Sequence, residues 1–242
     1  MKKVLLISFT MLTAGSIFLT SCGNASAEVS LKPPVTKKEA TENKEMSEKI
    51  SKTAPNTDAT AKTIENLQAA FKGETTASAK YAAYSKKAEQ EGYHEIALLY
   101  KAASAAENIH ANNHKAVLQE SGVSVREVKP EFTVKSTKEN LEDAIAGESY
   151  EATKMYPEFL QVANEAGNQL ALMSLTYAYK TEKKHKIMYE NALAALQNNT
   201  VKSLASVFYV CSTCGNTYET TAPARCGISM TGSEKFIKIT SL

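Results

Sequence analysis

Between residues 59 and 198 apolar and small residues recur at alternating intervals of three and four, in four stretches. The first carries Ile64, Leu67, Phe71, Glu74, Ser78, Tyr81, Ser85 and Ala88. The second carries Ile96, Leu99, Ala103, Glu107, His110, His114 and Val117. The third carries Leu141, Ala144, Glu148, Ala152, Met155, Phe159 and Val162, and the fourth Ala171, Leu175, Ala178, Glu182, His185, Tyr189, Ala192 and Leu196. This period marks the buried face of a helix. It predicts helices over 59–91, 94–120, 137–166 and 168–198. Gly92, Gly122 and Gly167 stand where helices close. The longer connection from Gly122 to about 136 contains Pro130 and joins two helical hairpins.

The hairpins are copies of each other. Glu65-Asn66-Leu67 with Gly73-Glu74 returns as Glu139-Asn140-Leu141 with Gly147-Glu148, at an offset of 74 residues. Glu107 and His110 return as Glu182 and His185, at an offset of 75. The added residue is placed near the Gly92 and Gly167 turns. Two copied hairpins make a four-helix bundle.

Four glutamates interrupt the stripes that should be apolar: Glu74, Glu107, Glu148 and Glu182. An unpaired buried carboxylate costs several kcal/mol, and four would exceed the roughly 5–15 kcal/mol that stabilises a domain. No Lys or Arg lies on these stripes, so two divalent cations are the natural counter-charge. Glu74 lies 18 residues before Gly92 and Glu107 lies 15 after it, so the two sit at similar heights on antiparallel helices. Glu148 and Glu182 stand alike about Gly167. His110 and His185 follow their glutamates by three, on the same face. One Glu from each of two helices and Glu-x-x-His from each of the other two is the ferritin-like carboxylate site for two irons or manganeses. Oxygen and imidazole donors suit those metals, with no thiolate to favour zinc.

The ends of the chain are different in kind. Lys2 and Lys3 precede a charge-free apolar run, Val4 to Leu19, and then Leu19-Thr20-Ser21-Cys22. This reads as a signal peptide over 1–21 ending in a sequence that resembles a bacterial lipobox, which implies a lipid on Cys22 and an extracytoplasmic, membrane-anchored protein. Residues 22–56, rich in Ser, Thr, Lys, Glu and Pro, read as a flexible tether. After the leader, basic and acidic residues balance at 26 each, which argues against a nucleic-acid partner.

With Gly147-Glu148-Ser149-Tyr150-Glu151, Met155-Tyr156-Pro157-Glu158-Phe159 and Glu91-Gly92-Tyr93, the body resembles the rubrerythrin family. The resemblance implies a ferritin-like bundle over 57–200 and a small β-rich, rubredoxin-like domain over 206–242. It implies that Glu107 and Glu182 bridge two irons. Glu74 is then terminal on one, where His110 and Glu151 alternate, and Glu148 and His185 are terminal on the other. Tyr81 and Tyr156 donate hydrogen bonds around the site, and His114 is structural rather than a ligand. The implied activity is reduction of hydrogen peroxide to water in oxidative-stress defence, with an electron donor left unidentified. The implied assembly is a homodimer in which one chain's tail approaches the other chain's irons. An iron-oxidising or iron-binding lipoprotein without peroxidase turnover is the competing expectation, and a surface lipoprotein with purely structural metals is a third.

The tail departs from that pattern. Phe208, Val210, Phe236, Ile237 and Ile239 predict short strands. Cys211-Ser212-Thr213-Cys214-Gly215 resembles a first rubredoxin knuckle, but the second reads Cys226-Gly227-Ile228-Ser229. Three readings are open: Ser229 supplies an oxygen ligand to iron, zinc binds the three thiolates, or no metal binds and Cys211 pairs with Cys214.

Overall fold

The structure, a computed structural model, describes residues 56–242; the leader, Cys22 and all but the last residue of the expected tether lie outside the described residues. Helix α1 spans Thr57–Gln90 and α2 spans His94–Glu120. The Asn56 side chain caps α1 by accepting from the Asp58 and Ala59 amides. At the hairpin turn Gly92 takes φ +83°, and Tyr93 N–H closes back on Ala88 O at 2.9 Å. Gly167 (φ +66°) closes the second hairpin in the same way, through Asn168 N–H to Ala163 O. Both are the glycine-terminated helix end that satisfies orphan carbonyls.

The third expected helix is not uniform. It begins as α3, Thr137–Tyr150, behind a capping box between Ser136 and Glu139. It then passes through a π-helical segment, Glu151–Met155, and continues as α4, Tyr156–Glu165. In the π segment Tyr156 N–H bonds to Glu151 O, five residues back. A π segment is one residue more than an α-helix needs over the same rise. This relocates the added residue of the repeat. Glu74 and Glu148 are 74 apart, but Tyr81 and Tyr156 are already 75 apart. The insertion therefore lies between Glu148 and Tyr156, not at the turns. Pro157, which has no N–H to give, sits just after it. Helix α5 is Gln169–Gln197.

The apolar core is in two parts. One contains Leu67, Leu118, Tyr156 and Leu175; the other contains Tyr81, Ile96, Leu141 and Tyr189. On α1, α2, α3 and α5 the buried Glu and His positions of the stripes fall between the residues of the two parts, so the acids form a polar layer across the bundle.

The tail is a three-stranded antiparallel sheet in the order β2-β1-β3, with β1 at Phe208–Cys211, β2 at Thr217–Glu219 and β3 at Phe236–Ile239. Strand β2 was not foreseen, because Thr-Tyr-Glu lacks an apolar run. Phe208, Val210 and Ile239 are buried in the same cluster as Tyr81 and Ile96, which fastens the sheet to the bundle.

Candidate metal centre

Two donor sets lie within the polar layer: Glu74, Glu107, His110 and Glu182, and Glu107, Glu148, Glu182 and His185. All are buried, and within each set the donor atoms lie within 4.8 Å of one another. Glu107 and Glu182 belong to both. His110 Nδ1 is 2.9 Å from Glu107 Oε2 and 2.9 Å from Glu182 Oε1. His185 Nδ1 is 3.0 Å from Glu107 Oε1 and 3.1 Å from Glu182 Oε2. Each shared glutamate therefore offers one oxygen to each histidine's side, as a carboxylate bridging two ions must.

The residues fit a pair of cations on independent grounds. Glu74 Oε2, Glu107 Oε1, Glu148 Oε2, both oxygens of Glu182 and His185 Nδ1 are buried without a hydrogen bond, although such groups are nearly always paired. Four carboxylates face two imidazoles, so with all four ionised the layer would be negative even with both histidines protonated. Burial, then the charges of Glu182 and Glu107, push Glu74 up to about 8. Burial, then Glu107 and Glu182, also raise Glu148. Burial works against the charge on His185, but Glu107 and Glu182 together outweigh it and lift the imidazole to about 9. These are signatures of carboxylates crowded together without counter-ions.

Tyrosines brace the outer glutamates. Tyr81 donates to Glu148 Oε1 at 2.7 Å, and Tyr156 donates to Glu74 Oε1. The two are repeat-related, and each reaches a glutamate of the other hairpin. Since Tyr156 gives its only proton to Glu74, the contact at 3.2 Å from His114 Nε2 makes His114 the donor there. His114 Nδ1 then accepts from Ser174 Oγ at 2.8 Å. His114 is thus neutral, in keeping with burial pulling it down to about 3, and it is absent from both donor sets. Ser174 was missed in the sequence because serine on a helix carries no signal of its own.

Glu151 begins the π segment and belongs to neither donor set. It is partly exposed and lines a cleft of about 360 Å³ with Gly73, Ala77, Tyr81 and Gly147. Burial, then Glu74, Glu182 and Glu107, raise its carboxyl well above the usual range. The first hairpin has no acid at the matching position; Ala77 stands three residues after Glu74.

The tail closes the site from outside. His110 Nε2 donates to Cys214 O at 3.0 Å. His185 Nε2 lies 3.0 Å from Thr217 Oγ1; that hydroxyl donates to Gly215 O and so accepts from the histidine. Both rings are thereby held with Nδ1 facing inward, the outer-nitrogen support usual for metal-binding histidines. Gly215 (φ +75°) permits this approach, because a Cβ there would collide with His110 Nε2 and lie 2.9 Å from its Cδ2. Lys184 clamps the contact, reaching Asn216 Oδ1 at 2.7 Å and Thr217 O at 3.1 Å over the Tyr218 ring. In this chain the tail lies against the chain's own bundle.

Cys211, Cys214 and Cys226 are buried free thiols that converge, and no disulfide joins them. Cys214 Sγ and Cys226 Sγ are 3.4 Å apart, and Ser229 Oγ is 3.3 Å from Cys211 Sγ. A hydrogen bond from Cys214 leads the forces that draw Cys211 down to about 4.

Residues 65–193 match the family model of Rubrerythrin. The chain belongs to the rubrerythrin family. The donor sets described above are its diiron site. Nigerythrin of Nitratidesulfovibrio vulgaris is 34% identical over 181 residues, covering 74% of this chain and 87% of the relative. Rubrerythrin-2 of Clostridium acetobutylicum is 32% identical over 180 residues, covering 73% and 96%. A structure of nigerythrin in its fully reduced, all-ferrous state superposes with a TM-score of 0.65 at 34% identity, covering 73% of this chain and 86% of that one. A bacterioferritin of Desulfovibrio desulfuricans, described with a diiron site in different catalytic states, superposes at 0.55 with 25% identity, covering 59% of this chain and 84% of its own. Rubrerythrin and ferritin-like architecture thus meet in one bundle with an additional sheet.

Proposed function

We propose that this rubrerythrin reduces hydrogen peroxide to water, using electrons from an external donor. The observation that carries the reading is Glu151, a carboxylate at the start of the π segment, outside both donor sets yet beside them and open to a cleft. A storage site has no need of a spare ligand at its mouth. A site whose ions change oxidation state does, because a ferric ion prefers an added anionic oxygen to an imidazole.

A bound diferrous pair supplies two electrons, which with two protons convert one peroxide to two waters. The chain's residues arrange the rest. Glu107 and Glu182, which belong to both donor sets, would hold the two ions together. Tyr81 and Tyr156 orient Glu148 and Glu74 and keep a phenolic proton against each. His114 and Ser174 fix the Tyr156 hydroxyl. Gly73 and Gly147 leave the cleft beside Glu151 wide enough for a small oxidant. Thr217 and the Cys214 carbonyl hold both imidazoles for ligation, with the cysteine cluster one peptide from His110.

Glu151→Ala in the full chain tests this reading. The expected result is peroxide oxidation of the reduced protein slowed about tenfold or more, with iron content and helix content unchanged. Wild-type rates in that variant would refute it. Reaction faster with dioxygen than with peroxide would favour the iron-oxidising alternative. We assign the protein to the outer side of a bacterial membrane, tethered through Cys22, on its leader and lipobox-like sequence. Absence of lipid at Cys22 by mass spectrometry would overturn that assignment. Among the described residues no helix is long and apolar enough to cross a membrane.

A further inference from the structure

We propose that Ser229 Oγ is the fourth ligand of a metal centre in the tail, completing a three-sulfur, one-oxygen tetrahedron. The proposal is independent of the peroxide reading.

The two knuckles have one shape. In the first, Gly215 N–H returns to Cys211 O at 2.9 Å, and the residue after Cys214 is left-handed, Gly215 at φ +75°. In the second, Met230 N–H returns to Cys226 O at 3.0 Å, and the residue after Ser229 is again left-handed, Met230 at φ +61°. Ser229 thus occupies the place in its loop that Cys214 occupies in the other. A non-glycine residue in that conformation costs about 1–2 kcal/mol. The loop keeps a ligand-presenting turn at that cost, which a decayed remnant would have no reason to retain.

The distances suit a metal. Bonds of about 2.3 Å to sulfur and about 2.0–2.2 Å to oxygen, at tetrahedral angles, require sulfur–sulfur separations of about 3.8 Å and sulfur–oxygen separations of about 3.5–3.7 Å. The separations found are 3.4 Å for Cys214 to Cys226 and 3.3 Å for Cys211 to Ser229. The hydroxyl is also oriented. Thr231 Oγ1 donates to Thr213 Oγ1 at 2.8 Å, so in its 2.8 Å contact with Ser229 Oγ it accepts. Ser229 spends its proton on Thr231, and its lone pairs are left for the sulfurs' centre. Around Cys226 Sγ, the Ile228 amide at 3.4 Å and the Tyr218 hydroxyl at 3.5 Å supply the donors that a metal-bound thiolate needs.

Iron is the ion the family's tail implies. When a ferric ion binds, the Ser229 proton leaves to solvent, and replacing a soft thiolate by this harder anionic oxygen favours the ferric form. This centre therefore sits at a lower potential than a four-thiolate one, and gives electrons more readily to whatever lies beyond Cys214 and His110.

The test uses the full chain loaded anaerobically with ferrous iron, alongside Ser229→Cys and Ser229→Ala. The bundle site has no thiolate, so sulfur-to-iron charge-transfer bands report the tail alone. The expected result is that wild type binds iron in the tail, that Ser229→Cys shifts the bands to longer wavelength and raises the midpoint potential, and that Ser229→Ala releases tail iron to a chelator at least tenfold faster. Two results would overturn the proposal. One is a Ser229→Ala protein with wild-type bands and release rate. The other is a wild-type tail that takes up no iron where Ser229→Cys does.

Discussion

Replacing Gly215 with alanine tests whether the tail is seated on the diiron layer as described. The new Cβ would meet His110 Nε2, with His110 Cδ2 at 2.9 Å and Ala106 O at 3.1 Å. Carbon contacts settle at about 3.5–4.0 Å, so the loop must retreat by roughly 0.5–1 Å. The hydrogen bond from His110 to Cys214 O, 3.0 Å long, would then be lost. The left-handed backbone adds about 1–2 kcal/mol for a residue with a side chain, and the lost bond about 1 kcal/mol. With partial relaxation of the clash, the total is about 2–4 kcal/mol. If the tail opens as a unit, each 1.4 kcal/mol is a factor of ten. Amide hydrogen exchange across β1 and β2 should therefore accelerate about 30- to 700-fold, while amides in the middle of α1 hold at their wild-type rates. Gly227→Ala is the control, since its Cβ would meet only Tyr218 OH at 3.8 Å and its backbone is not left-handed. Exchange in Gly215→Ala within about threefold of wild type would refute the seating and, with it, the support of His110 by the tail.

Tyr156→Phe removes a donor to Glu74 and strands the His114 proton that pointed at it. The expected loss is about 1–3 kcal/mol of stability and about tenfold in peroxide turnover, with iron still bound; denaturant unfolding and stopped-flow oxidation measure both, and unchanged turnover would remove Tyr156 from the mechanism. The metal-free protein should become less stable as pH rises from about 6 to 9. Glu74 is raised to about 8 and His185 to about 9 in the folded chain. A group whose folded pKa lies above its unfolded value contributes stability below the unfolded pKa and loses it as pH climbs through the folded one. Melting temperature measured across this range should fall for the metal-free form and stay flatter for the iron-loaded one; parallel curves would show that the buried layer is not what titrates.

Much of the centre is legible along the chain. Helix period and repeat offset together place Glu74, Glu107, Glu148 and Glu182 at one height on one face, because an α-helix maps sequence spacing onto space in a fixed way. The cost of burying four acids then demands cations whatever the packing details. Where that mapping breaks, the reading failed. The π segment at Glu151–Met155 adds a residue to a helix, and it shows in the sequence only as a change of offset between Glu148 and Tyr156, which the spacing of the Glu and Glu-x-x-His positions alone does not locate. Contacts between distant elements left no local trace at all. Ser174 against His114, Thr217 against His185 and Gly215 against His110 join residues 60, 32 and 105 positions apart. Nothing in a serine, threonine or glycine says what it will meet. Local periodicity determined the ligands, since helical geometry is decided residue by residue; the docking of the tail determined their orientation, since that depends on which surfaces find each other once the chain has folded.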